Sequence, residues 1–342
     1  MIPLKKLLVF CLLGPLLILI APDAAGGEPV TLRIGTYVPA QSSGVREVIR
    51  PWMDAVTAEV GDRVRFREFW GGSLGRDPKA QYDLAKFGIL DIAWALPGFT
   101  TGQFPQIQIV ELPYLARNSL EGSLASWRLY EAGLIDGLDD VHVIGIWTTE
   151  MGAIHTLKPI RSLAELDNLR IRTAGYVQAN FIYLFDGAPQ TMDSIEMNQA
   201  LQRGTIDGVI QGWTGMRTFR TDLLTGGAYE APSGAIPFLL IMNKTRWDAL
   251  DPEVQAVMDR YGGEAMARMA GAAYDRMGHA FRDQVAARGD HVLTVPTAAE
   301  DAANKAAVAP VHADWIANTP RGRAAYDLFT SVLEEMRAPG GS

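Results

Sequence analysis

The sequence predicts an α/β protein of two lobes, and three observations predict it. Strand-like and helix-like segments alternate from Val30 onward. At ~150 residues per domain, 342 residues divide into two units, each large enough for its own core. The helical stretch Gly263 to Arg288 is long enough to pass from one unit to the other, because ~25 residues at ~1.5 Å rise span about 37 Å.

The elements follow in chain order. Val30 to Tyr37 reads as a strand, and Val48, Ile49, Trp52, Met53 and Val56 fall at helical spacing before Gly61. Val64 to Phe69 alternates as a second strand, Asp77 and Pro78 start a helix to Phe87, and Gly88 leads into the strand Ile89 to Leu96. Such alternation implies a mostly parallel sheet covered by helices. Val141 to Trp147 is a further strand. A second unit opens near Thr149 with the strand Leu169 to Thr173 and the helix Tyr176 to Phe185. Asp193 and Glu196 resemble a capping box for a helix Ser194 to Arg203 closed by Gly204, and Ile206 to Gln211 follows as a strand. Pro237 to Asn243 reads as a buried strand, Trp247 to Tyr261 as a helix, and Ala298 to Val311 as an Ala-rich helical surface. The tail Ala338 to Ser342 reads as frayed. The expected division is 27–149 with 237–277 in lobe one, and 150–236 with 278–342 in lobe two.

Composition excludes several classes. Hydrophobic residues at 48% and charged residues at 20% are globular proportions, so disorder is ruled out. With 31 basic against 39 acidic residues and no Lys or Arg stripe, nucleic acid is excluded as a partner. The single cysteine, Cys11, lies in an apolar run away from any His, which excludes disulfides, zinc knuckles and thiol catalysis. Lys5 and Lys6, the uncharged run Leu7 to Ile20 and the small residues to Gly27 are ordered as in a secretory signal. Pro15 and the shortness of the run argue against a membrane anchor. Residues 1–26 are therefore expected to be removed on export, leaving a periplasmic protein without direct membrane insertion.

Few catalytic motifs survive inspection. Gly71-Gly72-Ser73-Leu74-Gly75 fits the G-x-S-x-G nucleophile pattern between a strand and a helix, which keeps a secreted serine hydrolase using Ser73 as an alternative. Against it, no His-Gly motif precedes the segment, and the helix starts several residues too late for a tight elbow. His142, His155, His279, His291 and His312 are scattered without ligand spacing, so no metal is expected. No phosphate-cradling glycine pattern occurs, and no cofactor is expected. Arg170 and Arg172 alternate on one side of a strand near its carboxyl end, where open α/β sheets bind ligands. Periodicity alone does not separate that role from two solvated arginines.

The segment Leu169 to Gly212 resembles the central signature of the DctP-type solute-binding proteins of TRAP transporters. It holds Leu169 to Arg172, Gly187-Ala188-Pro189, Glu196, Ala200-Leu201-Gln202, Gly204 and Asp207-Gly208 in the family's order. Gly72 to Gly75, Gly88 with Asp91-Ile92-Ala93, Leu112-Pro113-Tyr114, and Met242-Asn243-Lys244 with Trp247 and Leu250 extend the resemblance along the chain.

The resemblance implies a two-lobed periplasmic binding protein fold with the ligand cleft between the lobes. It also implies a non-enzymatic receptor that captures a small organic carboxylate and delivers it to an ion-gradient-driven TRAP permease. An ABC-type receptor is the runner-up within the binding class. The family's arginine corresponds to Arg172, whose planar fork suits a carboxylate. The family's asparagine after the Asp-Gly pair corresponds to Gln211, and its following proline is replaced by Gly212. Those departures argue against the common dicarboxylate and sialic-acid ligands. Tyr37, Trp70, Trp94, Trp147, Tyr176, Trp213 and Phe238 near strand ends are candidate aromatic walls, favouring a monocarboxylate with an apolar or aromatic body.

Overall fold

The computed structural model describes residues 28–100 and 102–339, so the expected signal segment, Cys11 and the last three residues of the tail lie outside it. The strands are β1 (Val30–Gly35), β2 (Val64–Phe69), β3 (Ile92–Ala95), β4 (Val141–Thr148), β5 (Ala153–Thr156), β6 (Arg170–Thr173), β7 (Ala188–Thr191), β8 (Gly208–Gln211), β9 (Gly227–Tyr229), β10 (Pro237–Asn243) and β11 (Val292–Thr294). Among the described residues they form two sheets, ordered β2-β1-β3-β10-β4 and β11-β9-β5-β8-β6-β7.

The sheets are mixed rather than mostly parallel. β1 runs parallel to β2 and β3, but β10 is antiparallel to both β3 and β4. In the second sheet β6 runs parallel to β7 and β8, and β5 is antiparallel to β8 and β9. The reason is topological. The chain leaves the first sheet from β4 straight into β5 and returns from β9 into β10 without a helix between, so each sheet receives one reversed strand from the other.

β10 alternates its side chains between two cores. Leu239 and Ile241 pack with Ala93, Leu129 and Ile146 on one face, and Leu240 and Met242 pack with Leu32, Trp52 and Met266 on the other. The first of these cores runs on into the second sheet through Ile154, Ile171 and Phe181. The far face of the second sheet carries a smaller core of Met197, Val209, Trp213 and Phe281. Helix Gly263–Arg288 joins them, with Met266 and Tyr274 in the first lobe's core and Phe281 and Val285 in the second's, as its length implies.

The expected capping box at Asp193 is absent. The helix starts only at Met197 with Glu196 at its N-cap, and Asp193 faces Lys79 instead. A capping box is found at Thr297 and Glu300, ahead of helix Ala298–Ala307. The C-terminal segment divides between the two sides. Helix Ala309–Asn318 touches helix Tyr176–Tyr183, while Gly322–Arg337 lies on Ser119–Glu131. That last packing follows from the apolar stripe Ala325, Phe329, Val332 and Leu333, and is closed by Arg337 donating from Nε to Glu121 at 2.8 Å.

Candidate functional site

Two neighbouring backbone crossings tie the sheets together. Thr149 N donates to Ile236 O at 2.9 Å, and Gly152 N donates to Gly234 O at 2.7 Å. The turn Gln106–Glu111 is stitched to the same place, with Ala235 N donating to Val110 O at 2.8 Å. Helix Gly263–Arg288 is the third crossing, and just beyond β1 the Tyr37 hydroxyl meets Ser194 of the other lobe.

The first lobe lines a cavity with aromatic rings. Register places Trp94 of β3 opposite Leu240, and Trp147 of β4 opposite Phe238, so three rings share one face. Trp94 and Trp147 stack at 5.9 Å and 27°, with Phe238 5.1 Å from Trp94 and 5.6 Å from Trp147. Tyr274 on the long helix adds a fourth ring 5.8 Å from Phe238. Tyr37, directly beyond β1, lines the same cavity with Trp94, Phe238 and Tyr274. The opposite wall is helix Trp213–Phe219, through Thr214 and Thr218. Gly44 is required here, because a Cβ on it would stand 2.4 Å from the Trp94 ring.

Polar groups of the second lobe and the hinge act on residues that line the cavity, Arg172 on Tyr37, Gln211 on Gly215 and Glu150 on Thr214. Arg172 is the only buried Arg or Lys among the described residues, 3% exposed. Its Nε donates to Met192 O at 3.0 Å, while Nη2 is buried without a partner among the described residues. Burial pulls the guanidinium down from its ordinary value to about 10, against the favourable fields of Tyr37, Asp193 and Glu111. The Tyr37 hydroxyl, itself pushed up by burial, meets Ser194 Oγ at 3.2 Å and so joins the two lobes. Gln211 ends β8 with its side chain over Gly215 and its Oε1 buried and unpaired. Its backbone oxygen accepts from His155 Nε2 at 3.1 Å, which fixes that ring's tautomer, and burial lowers His155 to about 3. Glu150, at the first crossing, accepts from Thr214 N at 2.7 Å and holds the start of helix Trp213–Phe219, with burial raising it to about 7.

The aromatic residues singled out from sequence therefore part company. Tyr37, Trp94 and Phe238 line the cavity, and the fully buried Trp147 packs against Trp94 and Phe238. Trp213 turns away from it and donates from Nε1 to Glu230 at 3.2 Å, in a second, polar recess. Trp70 bonds Glu68 on the edge strand β2. Tyr176, at the start of its helix, meets Thr319 at 3.5 Å. Arg170 is occupied by Asp207 through bonds of 2.9 and 2.8 Å. Sequence reasoning missed Tyr274, Thr214, Ser194 and Glu111. Tyr274 follows Ala273 on the apolar side of a recognised helix, and Glu111 interrupts the apolar run Ile107 to Leu112, so both left a trace. Ser194 and Thr214 left none.

The hydrolase alternative finds no support. Ser73 is exposed in a turn, and among the described residues no histidine bonds to it. His142 is spent on Asp259, His155 on Gln211, and His312 on Pro113 and Tyr326. Among the described residues no cluster of three His, Cys, Asp or Glu stands together, and no helix is long and apolar enough to cross a membrane.

Two lobes hinged on crossing strands, with an aromatic-walled cavity and a buried arginine whose Nη2 is unpaired among the described residues, fit a solute receptor. The model of bacterial extracellular solute-binding protein family 7, DctP, matches residues 34–319, and this chain belongs to that family. The resemblance read from Leu169 to Gly212 is thereby borne out. A TRAP solute-binding protein from Rhodoferax ferrireducens, solved with copurified benzoate, is similar at 28% identity, with a TM-score of 0.84 over 89% of this chain and 98% of that one. A marine metagenome TRAP solute-binding protein specific for aromatic acid ligands, in complex with 3-hydroxybenzoate, shares 25% identity, with a TM-score of 0.86 over 91% and 100%. A curated relative, the outer membrane transporter protein TsaT of Comamonas testosteroni, is 24% identical over 80% of this chain and 82% of its own length.

Proposed function

We propose that this chain is a periplasmic receptor that captures an aromatic monocarboxylate between its lobes and hands it to an ion-gradient-driven TRAP permease. The observation that carries the ligand class is the buried Arg172, whose Nη2 has no partner among the described residues and which acts electrostatically on Tyr37, a wall of the cavity that Trp94, Phe238 and Tyr274 also line. A guanidinium held out of water without an anion is costly, and a carboxylate both compensates it and accepts its donors. One buried cation calls for one carboxylate, and the rings supply flat apolar walls for the rest of the ligand. The benzoate and 3-hydroxybenzoate held by the two similar receptors support the same class. In this reading Arg172 holds the carboxylate and Gln211 contacts it. Tyr37, Trp94 and Phe238 enclose the ring with Trp147 packed behind them, and Trp70, Tyr176 and Trp213 lie outside the ligand's reach. Residues 27–149 with 237–277 move against 150–236, with the C-terminal helices bridging both.

A thermal-shift panel tests the assignment. A ligand that binds only the folded receptor adds about 2.7 kcal/mol at a hundredfold excess over Kd. Benzoate, 3-hydroxybenzoate or mandelate is expected to raise the melting temperature by several degrees, while succinate, glucose and benzylamine leave it unmoved. A shift with glucose and none with any carboxylate would reject the assignment.

A further inference from the structure

We propose that Glu111 is a ligand-site residue that works in its protonated state, so that capture of a carboxylate by Arg172 is coupled to a proton held on Glu111. The proposal rests on the carboxylate reading above and adds to it a residue and a proton. Glu111 closes the turn Gln106–Glu111 beside the hinge and is 1% exposed. Both of its carboxyl oxygens are buried with no hydrogen-bond partner, and it forms no ion pair among the described residues. They look onto backbone from both lobes: a Cβ on Gly98 would lie 2.9 Å from Oε1, and one on Gly175 3.5 Å from Oε2. Gly98 follows β3, and Gly175 follows β6 and Arg172.

An ionised carboxylate in such a place would be paired with Arg172 or hydrogen-bonded several times over, and Glu111 is neither. Burial accordingly raises it from 4.5 to about 8, with the field of Arg172 the one influence pulling it back. The neighbourhood offers no other counter-charge. β10 and the turn Pro97–Phe99 carry no ionisable residue, and helix Tyr176–Tyr183 brings Tyr176, which feels Glu111. Helices Ser119–Glu131 and Gly322–Arg337 bring Glu121 and Arg337, which are spent on each other, and their remaining charged side chains are exposed. Tyr37 and Asp193 also act on Arg172.

The consequence is thermodynamic linkage. With Glu111 neutral, Arg172 and one ligand carboxylate close the site at zero net charge. With Glu111 ionised, the same capture buries a net negative charge, and the ligand must also displace Glu111 from the field of Arg172. A ligand carboxylate on Arg172 therefore raises Glu111 further. Above the ligand-free value, binding takes up a proton and affinity falls about tenfold per pH unit; below it, affinity is level.

Calorimetry with benzoate on the full mature chain, wild type and Glu111→Gln, from pH 6.5 to 9.5 tests this. The wild type is expected to lose about tenfold or more in affinity across that range and to take up protons at pH 8.5, read from buffers of different ionisation enthalpy. Whatever its affinity at pH 6.5, Glu111→Gln is expected to hold that value to pH 9.5. Level wild-type binding, or an equal fall in both proteins, would overturn the proposal. An infrared difference spectrum of the two ligand-free proteins judges Glu111 separately: a protonated-carboxyl stretch at pH 6.5 that vanishes by pH 9.5 is expected, and its absence at pH 6.5 also overturns the proposal. If the band is present and neither protein binds benzoate or 3-hydroxybenzoate at any pH, the carboxylate reading itself falls, and with it the coupling.

Discussion

Replacing Arg172 by methionine should make the ligand-free receptor more stable and the receptor nearly unable to bind. The guanidinium is 3% exposed, and its depression from the ordinary arginine value to about 10 corresponds to about 3 kcal/mol by which the fold disfavours the charge. The sign follows from linkage. A base whose folded pKa lies below its unfolded value burdens the folded state at every pH where both states are charged, including pH 7; the burden begins to fade only above about pH 10 and is gone only beyond the ordinary arginine value. Methionine keeps most of the volume and removes that burden, while the bond from Nε to Met192 O is lost at about 1 kcal/mol. The net gain is about 1 to 2 kcal/mol, a rise of a few degrees in melting temperature for a chain of this size. The ligand carboxylate, by contrast, would enter a closed cleft with no cation to meet it. Losing one side of a buried charged pair costs about 3 to 5 kcal/mol, so affinity for benzoate should fall by roughly a hundredfold or more. Differential scanning calorimetry of the ligand-free proteins and isothermal titration with benzoate read the two effects separately. Binding within a few-fold of wild type, or a ligand-free variant that melts several degrees lower, would refute the reasoning.

Three further outcomes follow from neighbouring residues. Gly44→Ala drives a methyl into the Trp94 ring, an overpacking cost of about 1 to 3 kcal/mol at the cavity wall; benzoate affinity by titration should drop about tenfold with the circular dichroism spectrum unchanged. Tyr37→Phe removes the hydroxyl that meets Ser194 across the lobes at 3.2 Å, so stopped-flow dissociation of benzoate should quicken about fivefold, in line with one lost hydrogen bond of about 1 kcal/mol. Glu150 is raised by burial from 4.5 to about 7, so it favours the fold fully below pH 4.5 and loses that favour as pH rises through 7. Urea melts of wild type and Glu150→Gln should therefore diverge with rising pH, the glutamine form gaining up to about 3 kcal/mol by pH 9, and parallel pH profiles would contradict it.

Much of the fold was legible because its signals are local. Pro237–Asn243 and Gly263–Arg288 match their sequence boundaries, one being a short run of buried apolar residues and the other a long apolar stripe ended by Gly289. Strand direction was not legible, since reversal of β5 and β10 arises from which sheet the chain enters next. The short strands β5, β7, β9 and β11 were also missed, because three or four residues carry no readable period. Within the candidate site, Arg172 was singled out through strand alternation joined to the resemblance. Trp94, Trp147 and Phe238 were on the aromatic roster, but only the register of β3, β10 and β4 distinguishes them from Trp70, Tyr176 and Trp213. Asp193 shows how a local motif yields to tertiary context. Its spacing to Glu196 suits a cap, yet the segment instead supplies Ser194 to Tyr37 across the lobes. Glu111 was passed over because a lone acid in an apolar run is visible in sequence only as an irregularity. Its meaning depends on the buried arginine that the fold brings near.

The central claim, that Arg172 and the aromatic wall together select one aromatic monocarboxylate, is tested most directly by native mass spectrometry of the mature chain. The receptor is offered an equimolar mixture of benzoate, 3-hydroxybenzoate, mandelate, succinate, glucose and benzylamine. A single one-to-one adduct with an aromatic acid is expected in the wild type and is lost in Arg172→Met. A dominant adduct with succinate, glucose or benzylamine, or an aromatic-acid adduct that persists undiminished in Arg172→Met, would contradict it.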